Sequence, residues 1–327
     1  MSSEFSIETQ GPQDSADTVA MNAEAYGRFL AAQGLRIVKA GGELWVEKRK
    51  CFFENVPPHR QIQVDRRVRT KLFMAGAAVL RYSCQPGDGS PSFEYICDEK
   101  DFDLHSLDAN GRRRTRRGLE QCSIVRLDFE QLAKEGAAIN RSVFQRQGRV
   151  GRPLFVDDQL WKKYMLACKS LSNVEAYGAF IEGQLCGFSM TVLVDEYAYL
   201  HHTHCYTESL KYSPINALTF LVVKEMLRRP GISCVSQGLE SFASLPDVEQ
   251  FKLSMGFRRR PLGRKIVIHP LARPVFVLLG KASVQRLLPK QRMTSLLQDF
   301  QTFCASLQEQ PRAVGSIQTD NTKLNAS

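Results

Sequence analysis

Tyr197-Ala198-Tyr199-Leu200-His201-His202-Thr203-His204-Cys205-Tyr206 reads as a strand, and the polar turn after it leads into Ser213-Pro214-Ile215-Asn216, a strong helix start. Serine is a favoured N-cap, and proline suits the first helical position, where its missing N–H costs nothing. Ile215, Leu218, Val222 and Met226 keep a helical stripe that ends at Pro230-Gly231. A polar strand feeding a helix N-terminus presents unpaired N–H groups and the positive end of the helix dipole. Such a junction suits a phosphate-bearing ligand.

The neighbouring segments build a layered α/β unit around this junction. Ala176–Ile181 and Gln184–Val194 flank Glu182-Gly183, a two-residue hairpin turn. Asp195-Glu196 then turns the chain into the Tyr197 strand, which completes an antiparallel meander. Ser233–Leu239 follows the helix, so it is expected to lie parallel to that strand. A helix near 247–255 ends at Gly256, a natural left-handed C-cap, with Phe257 packing back.

The first half has a similar order of elements. Leu35–Lys39 and Glu43–Lys48 form a hairpin around Gly41-Gly42, and Asn55-Val56-Pro57-Pro58-His59 breaks the pattern. Ala75–Cys84, Phe93–Cys97 and Cys122–Leu127 read as strands, and Asp128 caps a helix to about Arg146. Gln147–Pro153 is the best linker. The expected division is a disordered tail at 1–21, domains at 22–150 and 151–270, C-terminal helices at 271–309, and a disordered tail at 310–327.

Composition narrows the function classes. Hydrophobic residues make up 43% of the 327 residues, which is ordinary for a chain with a buried core. No apolar run is long enough to span a bilayer, and no signal peptide is read. The nine cysteines are scattered without metal-ligand spacing, which points to a reducing, cytoplasmic setting. The net charge is +10, yet the first 25 residues carry five acids and no Lys or Arg. Positive charge is therefore concentrated in the folded part and favours an anionic partner.

Several side chains are candidates for chemistry, each beside a plainer reading. Strand alternation would set His201 on one face with Tyr199, Thr203 and Cys205, and His202 and His204 on the other with Tyr206. Histidine handles protons near neutrality, but a packed histidine is the commoner case. His202 and His204 lack a third ligand, so no metal is expected. Lys211, Ser213 and Asn216 are the anion-binding candidates of the helix start, against an ordinary capped helix. Glu240 ends a strand where a carboxylate can face a crevice and act as a base, or merely cap. Five arginines fall in Arg112–Arg117, and Arg258–Arg260 with Arg264-Lys265 form a second cluster; solvated basic faces are the simple alternative.

The meander, the Ser213-Pro214 helix, the parallel strand and Phe251-Lys252-Leu253-Ser254-Met255-Gly256-Phe257 together resemble the acyl-donor half of a GNAT-superfamily N-acyltransferase. The FKxxxGF pattern and the Arg112–Gly118 run look like elements of two-domain FemAB-like transferases. The resemblance covers about 110–270 by motif and 22–270 by order of elements. It implies an α/β fold with a mixed sheet, a degenerate first GNAT-like domain and a donor site in the second. It also implies a sheet that splays beside the central strand, with the donor's pyrophosphate at Lys211, Tyr212, Ser213 and Asn216. The implied chemistry is direct transfer to an amine-bearing small molecule or peptide, with His204 or Glu240 as base, Tyr206 protonating the leaving group, and His202, Lys252, Arg113 and Arg116 contacting substrate. Acyl-CoA, acetyl-CoA foremost, is the implied co-substrate, with no metal. The Q/R-x-x-G-x-G/A signature is absent, and FemAB-like members use aminoacyl-tRNA, so tRNA is the alternative partner. A non-catalytic binding module on the same fold is the third reading.

Overall fold

The computed structural model describes residues 7, 22–240 and 246–274. In chain order the elements are α1 (Ala23–Ala32), β1 (Arg36–Ala40), β2 (Glu43–Arg49), β3 (Phe52–Val56), α2 (Arg66–Met74), β4 (Val79–Cys84) and β5 (Ser90–Cys97). Next come α3 (Ala109–Gln121), β6 (Ser123–Arg126), α4 (Phe129–Arg146), α5 (Pro153–Val156) and α6 (Asp158–Lys169). The remainder is β7 (Val174–Ile181), β8 (Gln184–Val194), β9 (Tyr197–Cys205), α7 (Pro214–Arg228), β10 (Cys234–Leu239), α8 (Pro246–Ser254) and β11 (Arg258–Ile268).

All the strands join one eleven-stranded mixed sheet in the order β1-β2-β3-β4-β11-β5-β10-β9-β8-β7-β6. Two pairs are parallel, β3 with β4 and β10 with β9, and each follows a helical crossover. Both pairs are short, three residues on each strand. At the centre of the sheet, β11 sits between β4 and β5, and β5 sits between β11 and β10. The terminal arms of the two halves therefore interdigitate, and residues up to Pro270 form one compact unit. The expected boundary near 150 falls between α4 and α5, while the sheet runs continuously through both stretches.

One face of the sheet packs on α1, α4, α5 and α6 through Phe29, Leu132, Trp161, Tyr164, Phe188 and Met190. The other face packs on α3 and α7 through Ala217, Leu218, Phe220, Leu221 and Val222, and at its far end Trp45, Phe53, Leu72 and Leu80 form a smaller cluster with α2. The parallel placement of β10 and the two hairpin turns agree with the sequence. Several details differ. β3 begins just after Cys51, a turn at φ 65° made without glycine. Within α2 only Leu72 is buried, so it has almost no apolar stripe to read. β11 begins at Arg258, not at Ile266, and its first three arginines pair with carboxylates of the neighbouring strand region and of α8. The expected tails and C-terminal helices lie outside the described residues, apart from Ile7 and 271–274.

The placement of α3 decides where the positive charge goes. Its buried residues are Gly111, Thr115 and Gly118, one small stripe on an otherwise charged helix. A Cβ on Gly118 would lie 2.5 Å from the Ser213 carbonyl oxygen and 2.9 Å from Ala217 Cβ. A Cβ on Gly111 would lie 2.1 Å from the Ser254 carbonyl oxygen. The helix therefore rests backbone to backbone on α7 and the end of α8, and its arginines project elsewhere. We expect Gly118→Leu to destabilise the protein by about 3 kcal/mol through overpacking, as urea unfolding would record. An unchanged midpoint would show that α3 does not seat on α7 in this way.

Candidate functional site

Beyond the Ser236–Tyr199 pair, β9 and β10 separate. Both strands carry an irregularity there. In β9, the register against β8 shifts between Phe188 and Met190, and His202 takes φ 40°. In β10, the register against β5 shifts between Ser236 and Leu239, with Gly238 at φ 83°. The residues of β9 after Tyr199 have no strand partner on the β10 side.

A cleft of about 880 Å³ lies at this opening on the α3/α7 face. Leu200 and Thr203 of β9, Gln237 of β10 and Ser213–Asn216 of the α7 start line it. Its charge is one-sided. Arg113, Arg114, Arg117, Arg146, Lys211 and Lys252 line it, against the single acid Asp247. None of these six cations has a carboxylate ion pair among the described residues. A narrower groove continues the basic surface along α3, lined by Arg112, Arg113, Arg116, Arg117 and Glu120.

The α7 start is built differently from the expected cap. Ser213 sits in the left-handed region at φ 61° and makes no side-chain capping bond. Its carbonyl accepts from Asn216 N at 3.1 Å, and the Ile215 N–H has no acceptor among the described residues. Asn216 is buried with its amide donating to Met255 Sδ at 3.2 Å. The strain of a non-glycine αL residue is thus held at the mouth of the site by α3 packing on the Ser213 carbonyl.

Of the residues expected at a donor site, Lys211, Ser213 and Asn216 line the cleft and Tyr212 does not; Tyr212 lies under Lys211 Nζ, 4.8 Å from its ring centroid. Arg113 and Lys252 line the cleft, and Arg116 lines the adjoining groove. Lys252 Nζ donates to the Gln237 carbonyl at 3.1 Å and lies 4.3 Å from the Tyr95 ring centroid, so it holds the β10 irregularity from this face. Burial lowers its pKa.

The histidines are not arranged by simple alternation. The extra residue at the β9 bulge turns His201, His202 and His204 to one face, opposite the cleft, while Thr203 faces Ser189 at 3.0 Å on the cleft side. Tyr26 OH lies 3.4 Å from His201, Asn140 Oδ1 lies 2.6 Å from His204 Nδ1, and His202 packs on Phe155 and Tyr164. Tyr206 packs with the same helical face. His202, His204 and Tyr206 therefore do not line the cleft, and Arg146 is the cleft residue whose charge reaches His204.

Glu240 lies at the end of β10, beyond Gly238, and accepts from Ser92 Oγ at 2.9 Å. Sequence reading missed Glu94 in β5, which is fully buried. Glu94 accepts from Ser236 Oγ at 2.6 Å, from Tyr199 OH at 3.3 Å and from Arg260. Ser236 Oγ in turn accepts from Gly238 N at 3.0 Å, which fixes the β10 irregularity from the face opposite Lys252. Gln237 and Arg146 were also missed; a glutamine in a strand and a basic residue ending a helix carry no local signal.

The first half repeats the parallel pair but not the opening. Asn55 Oδ1 accepts from Ser83 N at 3.0 Å, its amide donates to Arg60 O at 2.9 Å, and Ser83 Oγ donates to Pro58 O at 2.8 Å. The chain after β3 is thus bonded to β4 at the position corresponding to the one where β9 and β10 separate.

No protein-family model matches the sequence, and no curated protein does. Solved structures are similar in fold. The crystal structure of FemX superposes with a TM-score of 0.53 at 12% identity, covering 79% of this chain and 94% of that one. The C-terminal domain of a candidate lysylphosphatidylglycerol synthetase from Agrobacterium fabrum gives a TM-score of 0.51 at 11% identity, covering 78% and 90%. The fold is therefore similar to that of FemX and of the synthetase domain. Among the described residues, no helix is long and apolar enough to cross a membrane.

The buried histidines set an acid limit to stability. Burial pushes His201 down to about 3 and His204 down to about 4, and lowers His202 well below 6.5. All three are neutral in the folded protein, whereas the unfolded chain takes up protons below about 6.5. Stability is therefore full above that pH and falls as pH drops through 6 and 5, each histidine adding up to about 1.4 kcal/mol per pH unit. Urea unfolding between pH 7.5 and 5 should show this limb, and His204→Gln should flatten it. A variant as acid-sensitive as the parent would exclude His204 as a source.

Proposed function

We propose that this chain is a transferase that moves an acyl or aminoacyl group from a phosphate-rich donor to an amine. One observation carries the reading: six cations and one acid line a cleft at the start of α7, beside the separated edges of β9 and β10. That charge needs an anion, and the open strand edge offers N–H groups to a carbonyl oxygen.

Aminoacyl-tRNA is the donor favoured. The basic surface continues past the cleft along α3 through Arg112 and Arg116, which suits an anion longer than one nucleotide. The likeness to FemX and to the lysylphosphatidylglycerol synthetase domain, whose name describes a lysyl group carried on a lipid, supports an aminoacyl donor. Acyl-CoA is the second reading, favoured by a cleft of about 880 Å³, a size typical of small-cofactor sites.

The acceptor nitrogen attacks the donor carbonyl carbon, a C–N bond forms, and the C–O bond to the ribose, or the C–S bond to CoA, breaks. The ammonium gives up two protons. Glu240 takes one, and the departing hydroxyl or thiol takes the other. Free N–H groups of β9 beyond Tyr199 polarise the carbonyl. His204 and Tyr206, on the opposite face under α4, act in this reading as packed residues.

Binding of a mixed aminoacyl-tRNA pool should weaken steeply between about 50 and 200 mM salt. Arg113→Ala with Arg117→Ala should lower affinity about tenfold and reduce the salt slope by about two. Stabilisation by acetyl-CoA with no tRNA binding would select the second reading. No response to either donor would leave a binding module and overturn the transferase reading.

A further inference from the structure

The opposite face of the sheet holds a buried cation with no direct ion pair among the described residues. Arg264 of β11 is 9% exposed, and its Nε is buried with no hydrogen-bond partner. The other arginines of this strand each meet a carboxylate: Arg258 with Asp98, Arg259 with Glu249 and Arg260 with Glu94. So do Arg229, with Glu175, and Arg60, with Asp195. Arg264 meets none among the described residues. A buried charge left in this state is costly, and removing it from water is repaid only by a partner.

The residues beside Arg264 in the sheet are small. In the sheet register Arg264 lies opposite Ser83 on β4 and Ser90 on β5, and Leu262 lies opposite Ser92. Arg81, two residues before Ser83 and on the same face, is bonded to Glu54. Glu240 reaches these serines from β10 through its bond to Ser92 Oγ at 2.9 Å. Arg264, whose Nε has no partner, and the Glu240 carboxylate thus stand over neighbouring serines on either side of β5. Burial, and then repulsion by Arg81, push the Arg264 pKa down to about 10, and Glu54 and Glu240 are the acids that oppose this shift.

We propose that the serine-floored stretch between Arg264 and Glu240 binds an amine that also carries a carboxylate, with the carboxylate on Arg264 and the ammonium towards Glu240. Guanidinium takes a carboxylate in two parallel bonds, and this geometry discriminates against a bare amine. As the acceptor site of the reaction above, this stretch rests on the transferase reading; as a binding site it does not. The acceptor class would then be amino acids or amino-acid-like amines.

Thermal shift of the full chain with L-alanine, L-glutamate, ethylamine and inorganic phosphate tests this directly. The amino acids should raise the melting temperature, and ethylamine and phosphate should not. Arg264→Met should abolish the amino-acid shift while raising the ligand-free melting temperature by about 2–4 °C, because it removes an unpaired buried charge. Glu240→Gln should weaken the shift without abolishing it. A shift with phosphate alone would make this a phosphate site and overturn the proposal. So would no shift with any ligand, or an Arg264→Met protein that melts lower and still responds to amino acids. Loss of tRNA and CoA binding with the amino-acid shift intact would sink the transferase reading and leave this site standing.

Discussion

The Glu94 carboxylate is fully buried, and it accepts hydrogen bonds from β9, β10 and β11 through Tyr199, Ser236 and Arg260. Few arrangements of a buried acid are tolerable, because each lone pair left bare costs free energy. Satisfying this one requires Tyr199 and Ser236 to be level with each other, and they are the last paired residues before β9 and β10 separate. The same Ser236 hydroxyl holds Gly238 N, so the acid that joins the strands also fixes where they part. Lys252 holds the adjoining carbonyl from the other side. The opening is thus a built feature, with a polar anchor on each face of the sheet.

Charge is organised by what lies beneath it. The arginines of α3 face outward because Gly111, Thr115 and Gly118 give that helix a side without bulk, and the contact made by Gly118 is with the Ser213 carbonyl itself. One contact therefore sets both the basic wall and the strained entry to α7. The arginines of β11 are a different kind of charge: three of them are bound to carboxylates.

Much of the second half was legible in the sequence because its signals are local. Glu182-Gly183, Pro214 and Gly256 each mark a turn, a start or an end through their own backbone chemistry. The mixed α/β class followed from their order. What escaped is non-local. The bulge that turns His201, His202 and His204 to one face depends on pairing with β8, which alternation along one strand cannot register. Ser213 looks like a cap in sequence, yet its backbone is left-handed where α3 packs closely on its carbonyl. Glu94 resembles any acid in an alternating strand until Arg260, far along the chain, is brought beside it. α2 escaped because its residues are almost all polar and only Leu72 is buried.

The interdigitated arms at the middle of the sheet bear on how the chain is made. β5 is bordered by β10 and β11, and β4 by β11, so most of the central ladder waits on residues 234–268. During synthesis the first half emerges with the edges of β4 and β5 open over a long interval. Unpaired edges of this kind are templates for wrong partners, and contacts so distant in sequence form slowly. Arg258, Arg259 and Arg260, the residues that open β11, bring a dense positive charge to the last gap to be filled, where Asp98 and Glu94 wait on β5 and beside it. Electrostatic guidance of a late strand into its slot is thus written into the same arginines that a reader of the sequence would assign to solvent.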